Sequence, residues 1–156
     1  MAFCGVRHLY SDIPFKEAAS SQVSLPEDDA ETISSVLCFF YCQNYKQKGS
    51  TKLENVRHDL NVYVAADKFD IPRLQELAMS RIKKWLDNNY MSTDFAGIIQ
   101  ELWIRIPRRA NKSRESVVAS VATRVCNFLS HGDADAILIG NPDLAVAVLK
   151  RVAGCY

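Results

Sequence analysis

The sequence of 156 residues has little of several features that mark particular classes of protein. It contains only 6 Gly and 5 Pro, which argues against a collagen-like or low-complexity chain. Its 19 basic and 18 acidic residues leave a net charge of +1, so no overall field favours nucleic acid or an anionic membrane. No window reaches the roughly 18 continuous apolar residues of a membrane-spanning helix. With 48% hydrophobic residues, we expect a soluble folded chain, as one compact domain or two small ones.

Paired cysteines are also absent. The five cysteines are odd in number and form no Cys-x-x-Cys pair: Cys4, Cys38, Cys42, Cys126 and Cys155. The first fifteen residues, MAFCGVRHLYSDIPF, lack the apolar run and small-residue cleavage site of a secretory signal. We therefore expect reduced thiols in an intracellular protein of the cytoplasm, the nucleus or both.

Apolar spacing predicts six or seven helices with at most one or two short strands, hence a mainly α fold. A short strand is predicted at Gln22–Leu25, ended by Pro26. From Ala30 to Tyr45 one helix face carries Ile33, Val36, Leu37, Phe40 and Tyr41, while Cys38, Phe39 and Cys42 cover another side. A helix that is apolar on two sides needs two sets of neighbours, and we expect the side with Phe39 and the two cysteines to be left uncovered.

Two more helices flank the segment DKFD. The apolar spacing predicts helices over 53–69 and 74–86. Asp70 is a candidate cap of the second helix, and Pro72 suits its first turn. With Phe69 expected in the core, DKFD is predicted to be a helix corner.

Four helical segments follow. They are predicted over 95–106, capped by Ser92 or Thr93 and stopped by Pro107, over 117–129, over 134–139, and over 141–154. The last has Asn141 as its candidate cap, Pro142 at its first position and Gly154 just past its end.

Chemistry-bearing motifs are scarce. There is no Gly-rich phosphate loop or Gly-x-Ser-x-Gly elbow, and His8, His58 and His131 stand in unrelated contexts. The sequence therefore supports no enzyme activity, and we predict no catalytic residue, metal or cofactor.

Two small clusters nevertheless invite a functional interpretation. Cys38 and Cys42 could ligate a metal with His58, but a zinc site needs about four ligands, so packing is favoured. The cluster of Asp67, Lys68 and Asp70 could act in acid–base chemistry, but no nucleophile or histidine is near in sequence, so a structural role is favoured.

The basic run RIPRRANKSR contains Arg105, Arg108, Arg109, Lys112 and Arg114. It could contact nucleic acid or an acidic partner. It has no interleaved aromatics and holds Pro107, so a solvated loop is favoured. A nucleic-acid-associated helical module that uses loop 105–114 is the alternative function.

Longer stretches resemble a known family. FKEAASSQVSLPEDDAETISSVLCFFYCQNY (15–45) and LNVYVAADKFDIPRLQELAMSRIKKWL (60–86) are similar to the later part of a BTB/POZ domain of the type abundant in filamentous fungi. STDFAGIIQELW and NPDLAVAVLKRVAG are similar to the helical extension that follows it. The resemblance implies a partial BTB/POZ domain, an α+β family, without the N-terminal β-hairpin and first helix of complete members.

This resemblance divides the chain into a remnant N-terminus (1–14), a partial BTB/POZ domain (15–90) and a C-terminal helical extension (91–156). It implies a non-enzymatic protein–protein interaction module, an adaptor that recruits partners to a larger complex. Homodimerisation is characteristic of the family, but the usual dimer elements have no counterpart before Phe15.

Some family members are substrate adaptors of cullin-based ubiquitin ligases. These carry a hydrophobic-x-acid motif after the apolar helix, and YCQNYKQKGSTK has none. Because family contacts with the cullin scaffold fall at the end of that helix, the resemblance assigns partner binding to Tyr41, Cys42 and Tyr45.

Overall fold

The computed structural model describes residues 29–47 and 49–154. These residues form eight helices: α1 Ala30–Cys42, α2 Lys52–Lys68, α3 Pro72–Asn88, α4 Phe95–Arg105, α5 Asn111–Thr123, α6 Val125–Leu129, α7 Ala134–Gly140 and α8 Pro142–Val152. No strand occurs in this part of the chain, and the prediction of a mainly α fold is confirmed. The strand predicted at Gln22–Leu25 and the N-terminal segment 1–14 lie outside the described residues.

The α2–α3 hairpin is the centre of the fold. α1 packs on α2, and α5 packs on α3, α4 and α8. The largest fully buried side chains include Tyr63 of α2, Phe95 of α4 and Phe128 of α6, and all belong to one apolar core. Tyr63 also donates a hydrogen bond from its hydroxyl to Ser113 Oγ of α5 at 2.8 Å. The helices that follow residue 90 therefore pack on the same core as those before it, and the domain boundary stays a prediction.

The DKFD segment is a corner, but its chemistry differs from the prediction. Asp70 does not cap α3, which has no side-chain cap hydrogen bond. It adopts a left-handed conformation, φ 53°, where its N–H donates to Asp67 O (3.4 Å) and the next N–H, of Ile71, donates to Ala66 O (2.9 Å). This pair of bonds is a Schellman motif that closes α2, with Asp70 where glycine is usual. Phe69 is exposed, and Ile71 packs against the core instead.

The helix predicted over 117–129 is two helices that meet at Arg124. The N–H of Arg124 bonds to Val121 O at 3.1 Å, a turn tighter than an α-helical one. Val121, Thr123 and Val125 alternate here, and β-branched residues weaken a helix. The prediction missed the break because apolar spacing continues across it.

Two of the predicted helix caps do not form the expected side-chain hydrogen bond. Asp94, not Ser92 or Thr93, precedes α4, and it makes no side-chain cap hydrogen bond. Asn141 does precede α8, with Pro142 first and Gly154 past the end at φ 71°. Its side-chain amide, however, donates backward to Ile137 O at 2.9 Å.

Three C-terminal helices are joined through Asp143. Trp103 Nε1 of α4 donates to one of its carboxylate oxygens and Arg114 Nη2 of α5 to the other, each at 3.1 Å. The Arg114 guanidinium lies 3.6 Å from the centre of the Trp103 ring. This cluster holds α4, α5 and the start of α8 together. None of the described helices has the length and apolarity needed to cross a membrane.

Candidate protein-binding surface

Helix α1 has one face against the core. Its buried residues are Thr32, Ser35, Val36 and Phe39, which recur at helical spacing and face α2. Ser35 Oγ lies 2.9 Å from Nε2 of the buried His58 on α2, so this polar pair is satisfied inside the interface. The contact fixes the rotation of α1 about its axis.

The opposite face of α1 is apolar and uncovered by the described residues. Leu37 is 54% exposed, Phe40 58% and Tyr41 88%, and Ile33, one turn before Leu37, is half-buried. We call Ile33, Leu37, Phe40 and Tyr41 the outer stripe of α1. Helix α1 thus presents a row of large apolar side chains of the kind that marks an interaction surface.

This finding corrects the predicted orientation of α1. Phe39, expected on the uncovered side, is buried, while Cys38 is half-buried and Cys42 exposed. Apolar spacing identified two apolar sides but could not say which of them α2 covers. The buried Ser35 and Thr32 mark the covered side of α1. Ser35 bonds to His58 of α2, and Thr32 bonds to Asp29 at the start of α1.

Both ends of α1 are fixed. At its start, Asp29 accepts hydrogen bonds from the Thr32 N–H (2.8 Å) and hydroxyl (2.6 Å). Burial alone would raise the pKa of Asp29, but these bonds lower it below its ordinary value. At its end, Gln43 takes a left-handed conformation, φ 52°, and its N–H bonds to Phe39 O. The helix therefore ends at Cys42, three residues before the predicted end at Tyr45.

Tyr45 lies in the core, only 3% exposed. Its hydroxyl donates to Asp59 Oδ1 at 2.7 Å, and Gln47 Nε2 donates to the other carboxylate oxygen at 2.6 Å. Arg81 of α3 lies 4.1 Å over the Tyr45 ring and donates to Tyr45 O and Asn44 Oδ1. This cluster attaches the segment after α1 to α2 and α3.

The environment of the cluster shifts the acidity of its members. Burial raises the pKa of Asp59, against the hydrogen bonds from Tyr45 and Gln47 and the charge of Arg81. Burial, with the Asp59 carboxylate beside it, also raises the pKa of Tyr45 well above its usual value. Tyr45 therefore stays protonated as the donor of this bond. Arg81 Nη1 is buried 3.8 Å from Asp59 Oδ1 and has no hydrogen-bond partner among the described residues.

The three residues assigned to partner binding thus fall into two groups. Tyr41 and Cys42 are exposed at the end of α1 and are accessible to a partner. Tyr45 is not accessible, because the fold uses its ring and hydroxyl internally. Apolar spacing alone could not separate Tyr41 from Tyr45, since the left-handed turn at Gln43 turns the chain between them.

The structure also locates the residues considered for metal binding and for acid–base chemistry. Cys38 and Cys42 have no third ligand: no group of three His, Cys, Asp or Glu side chains within the described ranges could hold a metal ion. Asp67 accepts from Gln75 Nε2 (3.2 Å) and Arg109 Nη2 (2.6 Å). His131 lies beside the Phe95 ring, and His8 lies outside the described residues.

The basic run is only partly a loop. Residues 106–110 connect α4 to α5, whereas residues 111–114 form the first turn of α5, which corrects the loop predicted over 105–114. Arg109 and Arg114 are paired with Asp67 and Asp143. Of the five cations, Lys112 and Arg114 lie in the first turn of α5, Arg105 is the last residue of α4, and Arg108 and Arg109 lie in the connection between these helices.

Comparison with known proteins identifies no relative. No family model matches the chain, and no curated protein and no solved structure is significantly similar to it.

Proposed function

We propose that this protein is a non-enzymatic protein–protein interaction module related to BTB/POZ domains, with the outer stripe of α1 as its partner-binding surface. The observation that carries the proposal is the exposure of Leu37, Phe40 and Tyr41 on a helix whose other face is buried. A contiguous exposed apolar surface of this kind is typical of a binding site. Aromatic residues are also enriched at the energetic centres of interfaces.

The rigidity of α1 supports the same function. Its start is capped by Asp29, and the segment after it is attached through Tyr45, Asp59 and Arg81. A surface held in place before binding loses little conformational entropy when a partner arrives. The outer stripe therefore suits the apolar face of a partner helix.

The sequence resemblance supplies two candidate partners. One is a second copy of this chain, and the other is a cullin scaffold, for which the module would serve as a substrate adaptor. Neither choice depends on Tyr45, which is buried. The resemblance assigns the cullin contact to the end of α1, where Tyr41 and Cys42 are exposed.

Titration of the purified chain, against itself by sedimentation velocity and against a purified cullin by calorimetry, tests the function. We expect association with at least one of them, lost in the double variant Phe40→Ser with Tyr41→Ser. Both side chains are exposed, so the variant should stay folded by circular dichroism.

The matched control is the double variant Ile139→Ser with Leu149→Ser, which removes two exposed apolar side chains of α7 and α8. It should bind as the wild type does. Equal loss of binding in both double variants, or no association of the wild type with either probe, would contradict the proposal.

A further inference from the structure

A cleft of about 570 Å³ opens between α3 and the start of α5. It is separate from the outer stripe of α1, because none of its lining residues belongs to α1. One wall is a single face of α3 that runs from Pro72 to Lys83, and the other is Arg109–Ser116. A helix rises about 1.5 Å per residue, so the wall along α3 is long enough for a short extended peptide.

The charges around this cleft are of mostly one sign. Its lining holds three cations, Lys83, Arg109 and Lys112, against one acid, Glu76, in a chain whose overall charge is +1. Arg109 is paired with Asp67, whereas Lys83 and Lys112 form no ion pair with the described residues. Their charges are available to a ligand.

The polar base of the cleft is ordered. Tyr63 donates to Ser113 Oγ at 2.8 Å, which leaves the Ser113 hydroxyl hydrogen able to donate elsewhere. Asp67 accepts from both Gln75 and Arg109. These bonds hold the start of α5 against α2 and α3, so the backbone that carries Lys112 and the Arg109 side chain are in place before any ligand binds.

The first turn of α5 adds to the positive potential. It contains no acidic residue and no side-chain cap, and the start of a helix carries partial positive charge. Lys112 sits in that turn, where a cation is unfavourable unless an anion lies near it. The cleft and the start of α5 therefore both favour an anionic ligand.

Apolar side chains distinguish among anionic ligands. The exposed Pro72 and the 9% of Met79 that remains exposed line the cleft beside the lysines. Apolar atoms contribute little to binding a phosphate backbone, whereas they can contact a peptide with both acidic and apolar residues. The described residues also offer no stacking platform here, because Tyr63 is fully buried and base stacking needs an exposed ring.

We propose that the cleft between α3 and α5 binds a short acidic segment of a partner protein, with Lys83 and Lys112 contacting its carboxylates. Binding at this cleft is independent of the proposed function of α1. A partner could therefore engage the two surfaces together.

The test uses the full chain and a short fluorescein-labelled peptide that alternates glutamate and leucine, followed by fluorescence anisotropy at low salt. The double variant Lys83→Glu with Lys112→Glu should weaken binding by about tenfold or more, because like charges now face each other. Added salt should weaken wild-type binding as well.

The control double variant, Lys52→Glu with Lys84→Glu, changes the net charge equally at exposed positions outside the cleft. It should retain binding within about twofold. A peptide with glutamine in place of glutamate should not bind, and unchanged circular dichroism would show that the variants fold.

Three results would overturn the proposal: no binding of the acidic peptide by the wild type, equal weakening in both double variants, or tighter binding of a duplex DNA probe than of the peptide. The last result would favour the nucleic-acid alternative instead. None of them depends on the outer stripe of α1, so this proposal and the proposed function can fail separately.

Discussion

Tyr41 and Tyr45 are four residues apart and have opposite environments. Tyr45 donates to the buried Asp59 carboxylate, while Tyr41 projects from α1 with 88% of its surface exposed. Only the Tyr45 hydroxyl should therefore contribute to stability. If it is removed, the buried Asp59 carboxylate loses a hydrogen-bond donor but keeps its desolvation cost.

Replacing Tyr45 by Phe should destabilise the fold by about 1–3 kcal/mol. Urea unfolding measures the loss, and hydrogen exchange should increase at residues 43–47 because their attachment is weakened. Tyr41→Phe is the matched control and should change neither quantity. Equal effects of the two variants would contradict the buried role of Tyr45.

Asp59 makes stability depend on pH. Its pKa is raised by burial, so the folded state binds this proton more tightly than the unfolded state. The contribution of Asp59 to stability should therefore decrease as pH rises above its unfolded pKa of about 4. Urea unfolding from pH 4 upward should show wild type losing stability relative to Asp59→Asn, and the opposite trend would contradict the shift.

Asp70 occupies a left-handed position that glycine accepts more readily. Asp70→Gly should stabilise the protein by about 0.5–1 kcal/mol, and Asp70→Val should destabilise it by about 1–2 kcal/mol. Thermal unfolding of the two variants checks the order. If glycine destabilised the protein, the Schellman closure of α2 would not be the role of this residue.

At the scale of the element, α1 is apolar on two sides that differ in function. The side with Val36 and Phe39 packs on α2, and the outer stripe with Phe40 and Tyr41 is exposed. The first side stabilises the fold, and the second is the one that we propose for partner binding. Mutations of adjacent residues of the helix should therefore differ strongly in their cost to stability.

Phe39→Ala should cost about 3–5 kcal/mol, because it opens a cavity in the core. Phe40→Ala should change stability by less than about 0.5 kcal/mol. Chemical unfolding of the two variants, made at neighbouring positions with the same substitution, measures the difference. Similar losses would contradict the exposure of Phe40 on the outer stripe.

The sequence predicts where the helices lie along the chain better than which face of each helix is buried. Apolar spacing placed the helices of the α2–α3 hairpin and α8, and α3 and α8 each have one dominant apolar face. It failed for α1, where the covered side depends on the Ser35–His58 bond, a contact between residues 23 positions apart. It failed again at Arg124, where a local break does not interrupt the apolar pattern.

At the scale of the molecule, the chain combines one helical core with two separate surfaces of different chemistry. The outer stripe of α1 is apolar, and the cleft between α3 and α5 is cationic. The cleft was not predictable from the sequence. Lys83 and Lys112 are far apart in the chain, and they line the same cleft only because α3 packs on α5. The basic run gave the one sequence signal for it. We propose an interaction module that uses both surfaces.

The most direct test of the central claim is photocrosslinking from the outer stripe of α1. The crosslinker p-benzoylphenylalanine replaces Tyr41 in one sample and Ile139, which is 81% exposed on α7, in another. Each sample is irradiated with a second copy of the chain and with a purified cullin. The account predicts a covalent adduct from position 41, identified by mass spectrometry, and none from position 139. A complex that forms without an adduct at position 41, or with equal adducts at both positions, would contradict it.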